Sequence, residues 1–159
     1  MAVLKIRKNP DPILRKKAKK VTNIDVSVQR IIDNMIETLD KASGVGLAAN
    51  QVGVPLRIVI IHIPDKDVIV LINPEIIEKT GERLVVEGCL SIPGYQAEVK
   101  RSESVRVKAR DRQGKLFRKK ATDLLAQAFE HEIDHLNGIL YIDYLQDTDK
   151  LEKTDYAPD

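Results

Sequence analysis

The sequence predicts an α+β fold: mostly antiparallel strands packed around a central metal-binding helix. Three observations predict it. Two strongly amphipathic helical segments sit at 25–41 and 123–136. Short β-branched runs fill the middle third. Turn residues separate those runs closely, which favours antiparallel neighbours over long crossovers.

Taken in order, DPILRKKAKK (11–20) suggests a short basic helix with Pro12 in its first turn. In 25–41, Val28, Ile31, Ile32, Met35, Ile36 and Leu39 recur at three- and four-residue spacing. Asp25 or Ser27 can cap this helix, and Gly44 lies just past its end. RIVIIHI (57–63) and VIVLI (68–72) read as buried strands joined by a turn at Pro64–Asp67. ERLVVEG (82–88) is another strand candidate. Over 103–112, Val105, Val107 and Ala109 alternate with charged residues, so one face is buried, and Gln113-Gly114 then closes a hairpin with KLFRKKA. The second helix, 123–136, has Thr122 as N-cap and Gly138 as stop.

At 159 residues the chain has length enough for one core, and 43% hydrophobic with 31% charged residues argues against disorder. A net charge of +2 is too small to imply DNA binding. No apolar run reaches the roughly 18 residues a membrane helix needs. The start, MAVLKIRKNPDP, has too short an apolar run for a signal peptide. With a single cysteine there is no internal disulfide, so a reducing cytoplasm is the expected compartment.

Chemistry concentrates in three places. AFEHEIDHLNG (128–138) sets His131 and His135 four apart with Glu132 between them. Imidazoles at that spacing share a helix face and can grip one metal, while the glutamate can take a proton from water. A catalytic metal usually has a third protein ligand. No histidine follows His135, and Asp143, Asp147, Asp149 and Glu152 lie in or near a polar tail. EGCLSIPG (87–94) offers Cys89, whose thiolate suits zinc or ferrous iron, and the chain is expected to turn or bulge there. A nucleophilic Cys–His pair is the competing chemistry, but it needs neither the second histidine nor the four-residue spacing. GVGLAANQVG (44–53) contains GxGxxA, yet it follows a predicted helix, unlike a dinucleotide loop. Its Gln51 can present an N–H donor to an oxyanion. His62, within RIVIIHI, reads as a strand residue without catalytic role. On these residues alone, a zinc endopeptidase or a structural metal domain stays open.

Together, GVGLAANQ, EGCLS and HEIDH, with the N-terminal DPILRKKAKKV, resemble the signature motifs of the peptide deformylases, in order and approximate spacing. The resemblance spans nearly the whole chain and implies a single catalytic domain over 1–159. It implies removal of the formyl group from the N-terminal formyl-methionine of new polypeptides, with release of formate. Cys89, His131 and His135 would be the ligands of one divalent metal ion, ferrous iron natively in many members and zinc, nickel or cobalt in others. Water held there would attack the formyl carbon, with Glu132 as general base and then acid. Gln51, through its side-chain amide, and Leu90, through its backbone N–H, would hold the oxyanion. Val45, Leu124 and Ala128 would line the methionine slot, and Gly46 would let the substrate backbone approach. Partners would be N-formylmethionyl nascent peptides and, transiently, the ribosome, with no DNA and no membrane. The run IPGYQAEVKR has Tyr95 and Gln96 where several members carry an arginine, and the tail DTDKLEKTDYAPD lacks a basic docking helix. Asp134 is expected to accept a bond from a basic group such as Arg101 and so steady the helix.

Overall fold

The structure, a computed structural model, describes residues 2–147 and 150–154. In chain order it contains α1 (Val26–Lys41), β1 (Gly46–Ala48), β2 (Ile58–Ile61), β3 (Ile69–Thr80), β4 (Arg83–Cys89), β5 (Ile92–Arg101), β6 (Ser104–Arg110), β7 (Leu116–Thr122), α2 (Asp123–Leu136) and β8 (Glu152–Lys153). One sheet runs β1-β2-β3-β6-β7 and the other β4-β5-β8. Every pairing between these strands is antiparallel, as an α+β fold of this kind requires.

The five-stranded sheet is covered by a helix on each face. Alternate residues of a strand point to opposite faces. Ile58 and Ile60 of β2 therefore join Ile32, Met35 and Leu39 of α1. Val59 and Ile61 join Phe129, Ile133 and Leu136 of α2 instead. Burial on both faces explains why β2 reads as an unbroken apolar run. Asp25 caps α1 by accepting from the Val28 N–H at 3.0 Å. A third cluster joins Ile92, Ala97 and Val99 of the smaller sheet to Leu14, Leu140 and Tyr141.

Several elements differ from expectation. The helix expected over 11–20 is a single 3-10 turn, Pro12–Arg15. His62 lies just beyond β2, where its ring Nδ1 is 2.6 Å from an Asp40 carboxylate oxygen. The strand expected to end at 72 continues to Thr80, because a register irregularity between Ile72 and Glu75 accommodates Pro74. The strands β1, β5 and β8 were not expected. The helix at 123–136 and the 113–114 hairpin match the sequence reading, with Gly114 at φ +87°.

Candidate metal centre

Four residues on one stripe of α2 face a common cleft: Leu124, Gln127, Ala128 and His131, with Glu132 beside them. The far wall is the end of β4. Cys89 pairs with Ile92 across the two-residue turn Leu90-Ser91, while Glu87 two positions earlier faces Ala97, so the extra residues of this hairpin bulge on β5. Cys89 therefore sits at the tip of β4, where the chain reverses and its side chain is presented to α2. The result is convergence. Cys89 Sγ lies 3.3 Å from His135 Nε2, and the two histidine Nε2 atoms lie 3.2 Å apart. Among the described residues, Cys89, His131 and His135 form the group whose ligand atoms all fall within 4.8 Å of one another.

This donor set fits a divalent cation that accepts soft and borderline ligands. Two lone-pair nitrogens facing each other beside a sulfur gain little without a cation between them. Glu132 Oε1, buried next to the ring, has no hydrogen-bond partner among the described residues. The downstream carboxylates do not compete: Asp143 is held by Arg15 in two bonds of 2.6 and 3.0 Å, and Glu152 sits in β8. Asp149 lies outside the described residues.

Behind the ring is a buried ionic network. His131 Nδ1 is 2.7 Å from Glu87 Oε1. The Arg101 guanidinium grips Glu87 through bonds of 2.6 and 2.7 Å, and donates to Asp134 at 2.8 Å. The Tyr144 hydroxyl donates to the same Asp134 oxygen at 2.7 Å. A carboxylate on Nδ1 fixes the ring orientation and leaves Nε2 for a metal. Burial works against charge on Glu87, but Arg101 and His131 outweigh it and hold its pKa at about 2. Burial, reinforced by Glu87 and Asp134, pushes Glu132 up to about 7. Burial also opposes charge on His131, where Glu132, Cys89 and Glu87 prevail and raise its pKa. Burial, with any charge on His131 adding to it, pushes His135 well below the ordinary histidine value.

The cleft in front encloses about 500 Å³. Val45, Gly46, Gln51, Leu90, Leu124 and Ala128 all line it. Leu124 stands at the rim, 43% exposed, whereas Ala128 is buried. The Gln51 amide is anchored deep. Its Oε1 accepts from Ala48 N–H at 2.9 Å, and its Nε2 lies 3.0 Å from Ser91 Oγ and 3.7 Å from Cys89 Sγ. The sequence reading missed Glu87, Ser91 and Gln127. Glu87 stood inside a quoted motif, but nothing local distinguishes a buried strand glutamate from an exposed one. It also missed that β8 pairs with Tyr95 and Gln96, so that Thr154 lines the cleft.

A thiol and two imidazoles around one point, with a buried carboxylate alongside, define a metal-dependent hydrolase on an α+β scaffold. Comparison with known proteins narrows the class. The family model for polypeptide deformylase matches residues 3–151. A peptide deformylase of Dehalococcoides mccartyi is 57% identical, the match covering 96% of this chain and 92% of that protein. One of Heliobacterium modesticaldum is 52% identical, over 92% of this chain and 96% of the relative. A crystal structure of a peptide deformylase from Legionella pneumophila superposes with TM-score 0.91 at 48% identity, covering 94% of this chain and 89% of that one. The chain belongs to the polypeptide deformylase family, hydrolases that remove N-formyl groups from nascent polypeptides.

Proposed function

We propose that residues 1–159 act as a single catalytic domain that deformylates N-formylmethionyl peptides, with Cys89, His131 and His135 holding one divalent ion, natively ferrous iron. The cation would supply Lewis acidity, polarising the formyl carbonyl and making water acidic enough to ionise near neutral pH. Glu132 takes the proton from the attacking water and returns it to the departing amine nitrogen. Its burial keeps that proton away from bulk solvent between the two transfers. Gln51 offers an anchored amide N–H, and Leu90 its backbone N–H, to the oxygen that becomes negative. Losing one such donor typically costs about 3–4 kcal/mol in the barrier.

The methionine side chain enters the slot between Val45, Leu124 and Ala128, where a flexible thioether suits an irregular apolar wall. The substrate backbone passes Gly46, the end residue of β1, which pairs on one side with Ile61 of β2. A strand-like substrate can pair on the other side. The observation that carries this reading is the shared cleft: Cys89, His131, Glu132 and Gln51 all open onto it.

We read the compartment as cytoplasmic and expect a transient ribosome contact. Residues 100–120 hold ten Lys or Arg against two acids. Arg106 lies opposite Lys120 and Lys108 opposite Arg118, with Glu78 and Glu75 on β3 facing Arg106 and Lys108 from the other side. Like charges set across strands cost stability, which favours an anionic partner for this face. The function is tested with protein purified without oxygen and assayed for metal and for formate from formyl-Met-Ala-Ser. Iron at one per chain with formate release is expected. No formate from iron- or cobalt-loaded protein, or cleavage of casein, would overturn the reading.

A further inference from the structure

We propose that Asn50 is a positioning residue for His135: its side-chain carbonyl accepts the Nδ1 proton of that imidazole through one enclosed water, and so leaves Nε2 free for the cation. This rests on the reading of His135 as a ligand.

The argument starts from the ring. His135 Nε2 faces His131 Nε2 and Cys89 Sγ. To offer a lone pair there, it must carry no hydrogen, so the proton sits on Nδ1. That Nδ1 is buried and has no partner among the described residues. His131 differs, since Glu87 holds its Nδ1. One imidazole therefore has an orienting group and the other, fully enclosed at 1% exposure, has none in contact.

Asn50 supplies the missing complement. It is also 1% exposed, and it leaves the 3-10 turn Ala49–Val52 next to α2. Its Nδ2 donates to the backbone carbonyl of His135 itself. Its Oδ1 is buried and has no partner among the described residues. An orphaned acceptor thus sits on a side chain already fastened to the residue that carries an orphaned donor. Leaving both unmade is costly, and bridging them through that water relieves both. Two other groups near the histidines have unpartnered oxygens. Glu132 has its Oε2 against Gly46 and its Oε1 as the unpartnered atom, and Tyr141 stacks on His131 rather than His135. The assignment gives the two imidazoles different partners, a carboxylate for His131 and a neutral amide for His135. That limits the negative charge gathered around one cation.

The test uses zinc-loaded full-length protein and two readouts besides activity: zinc affinity by chelator competition, and the Nδ1–H resonance of each histidine by NMR. In the wild type, the His135 Nδ1–H should exchange slowly with solvent. Asn50→Leu, close in size but without polar atoms, should expose that proton and weaken zinc binding about 10- to 100-fold. It should leave the His131 Nδ1–H unchanged. Asn50→Asp keeps an acceptor but loses the donor to the His135 carbonyl, so its zinc affinity should stay within about threefold of wild type. Equal affinity and equal protection in Asn50→Leu would overturn the proposal. So would an Asn50→Asp variant as weak as Asn50→Leu, which would assign the effect to the backbone contact alone. If Asn50→Leu fails to fold, rapid exchange of the His135 Nδ1–H in the wild type overturns it equally. Absence of coupling between bound cadmium-113 and His135 Nε2 would instead remove the ligand reading and this one with it.

Discussion

Replacing Gly46 with alanine should slow the enzyme while leaving it folded. A methyl carbon built at Gly46 would stand 2.6 Å from Glu132 Oε2 and 2.8 Å from its Cγ. Ordinary contact begins at 3.4 Å, so the carboxylate must retreat by about 0.8 Å. Glu132 is only 5% exposed, which leaves it no open direction except along the cleft. Misplacing a reacting group by about 1 Å typically costs on the order of 100-fold. The expected fall in kcat is therefore roughly 50- to 100-fold, or about 2–3 kcal/mol of barrier. Gly46 does not lie in the left-handed region, so alanine meets no backbone strain there. The thermal midpoint should move by less than about 4 °C, the shift that 1 kcal/mol produces in a chain of this size. Formate release from formyl-Met-Ala-Ser, with kcat and KM resolved and metal content matched, makes the measurement. A kcat within threefold of wild type at equal metal content would refute the placement of the proton-transfer group. A loss entirely in KM would reassign Gly46 to backbone clearance for the substrate.

Further expectations follow from the same geometry. Glu132→Gln should retain its metal by elemental analysis yet lose about 10²- to 10⁴-fold in turnover, the usual share of a general acid–base group. Cys89→Ala should emerge from dialysis without stoichiometric metal; full retention would break the ring described above. Arg101→Met strands the Glu87 and Asp134 carboxylates in a buried setting, and a denaturant melt should report a loss of about 3–5 kcal/mol. Glu87 titrates at about 2 when folded, against an ordinary 4.5. Its contribution, on the order of 3 kcal/mol, is therefore complete above about pH 4.5 and lost as the pH falls toward 2. Glu87→Gln should flatten that limb of the stability curve, and an unchanged limb would show that the pairing is worth little.

Where periodicity was clean, the sequence was a reliable guide. The α2 boundaries fall at 123 and 136 because the apolar stripe, the Thr122 cap position and Gly138 at φ +75° agree with one another. β5 escaped notice for the opposite reason. Its inward positions are Ala97, Val99 and Arg101, and a buried arginine breaks the alternation that marks a half-buried strand. Arg101 is tolerated there only because Glu87 and Asp134 meet it, and that is a tertiary fact. The Asp134–Arg101 bond was still foreseeable, since Asp134 lies three residues beyond His131 and so borders the histidines on the helix surface, where a basic group can meet it. β1 is three residues long, too short for a period-2 signal, and β8 owes its existence to the open edge of β5. Cys89 carried no distance information in the sequence; only the packing of the β4–β5 hairpin, with Cys89 at its turn, brings its sulfur to the histidines.

The division into two separately cored layers has a mechanical meaning. Cys89 arrives on the three-stranded sheet, whereas both histidines arrive on a helix seated against the five-stranded one. An ion gripped by all three would be a rivet through the seam between layers. Catalytic chemistry and architectural integrity then share one fastening. Drift toward a more loosely bound or more oxidisable metal would therefore be felt in both at once, as a loss of rate and as a loosening of the seam.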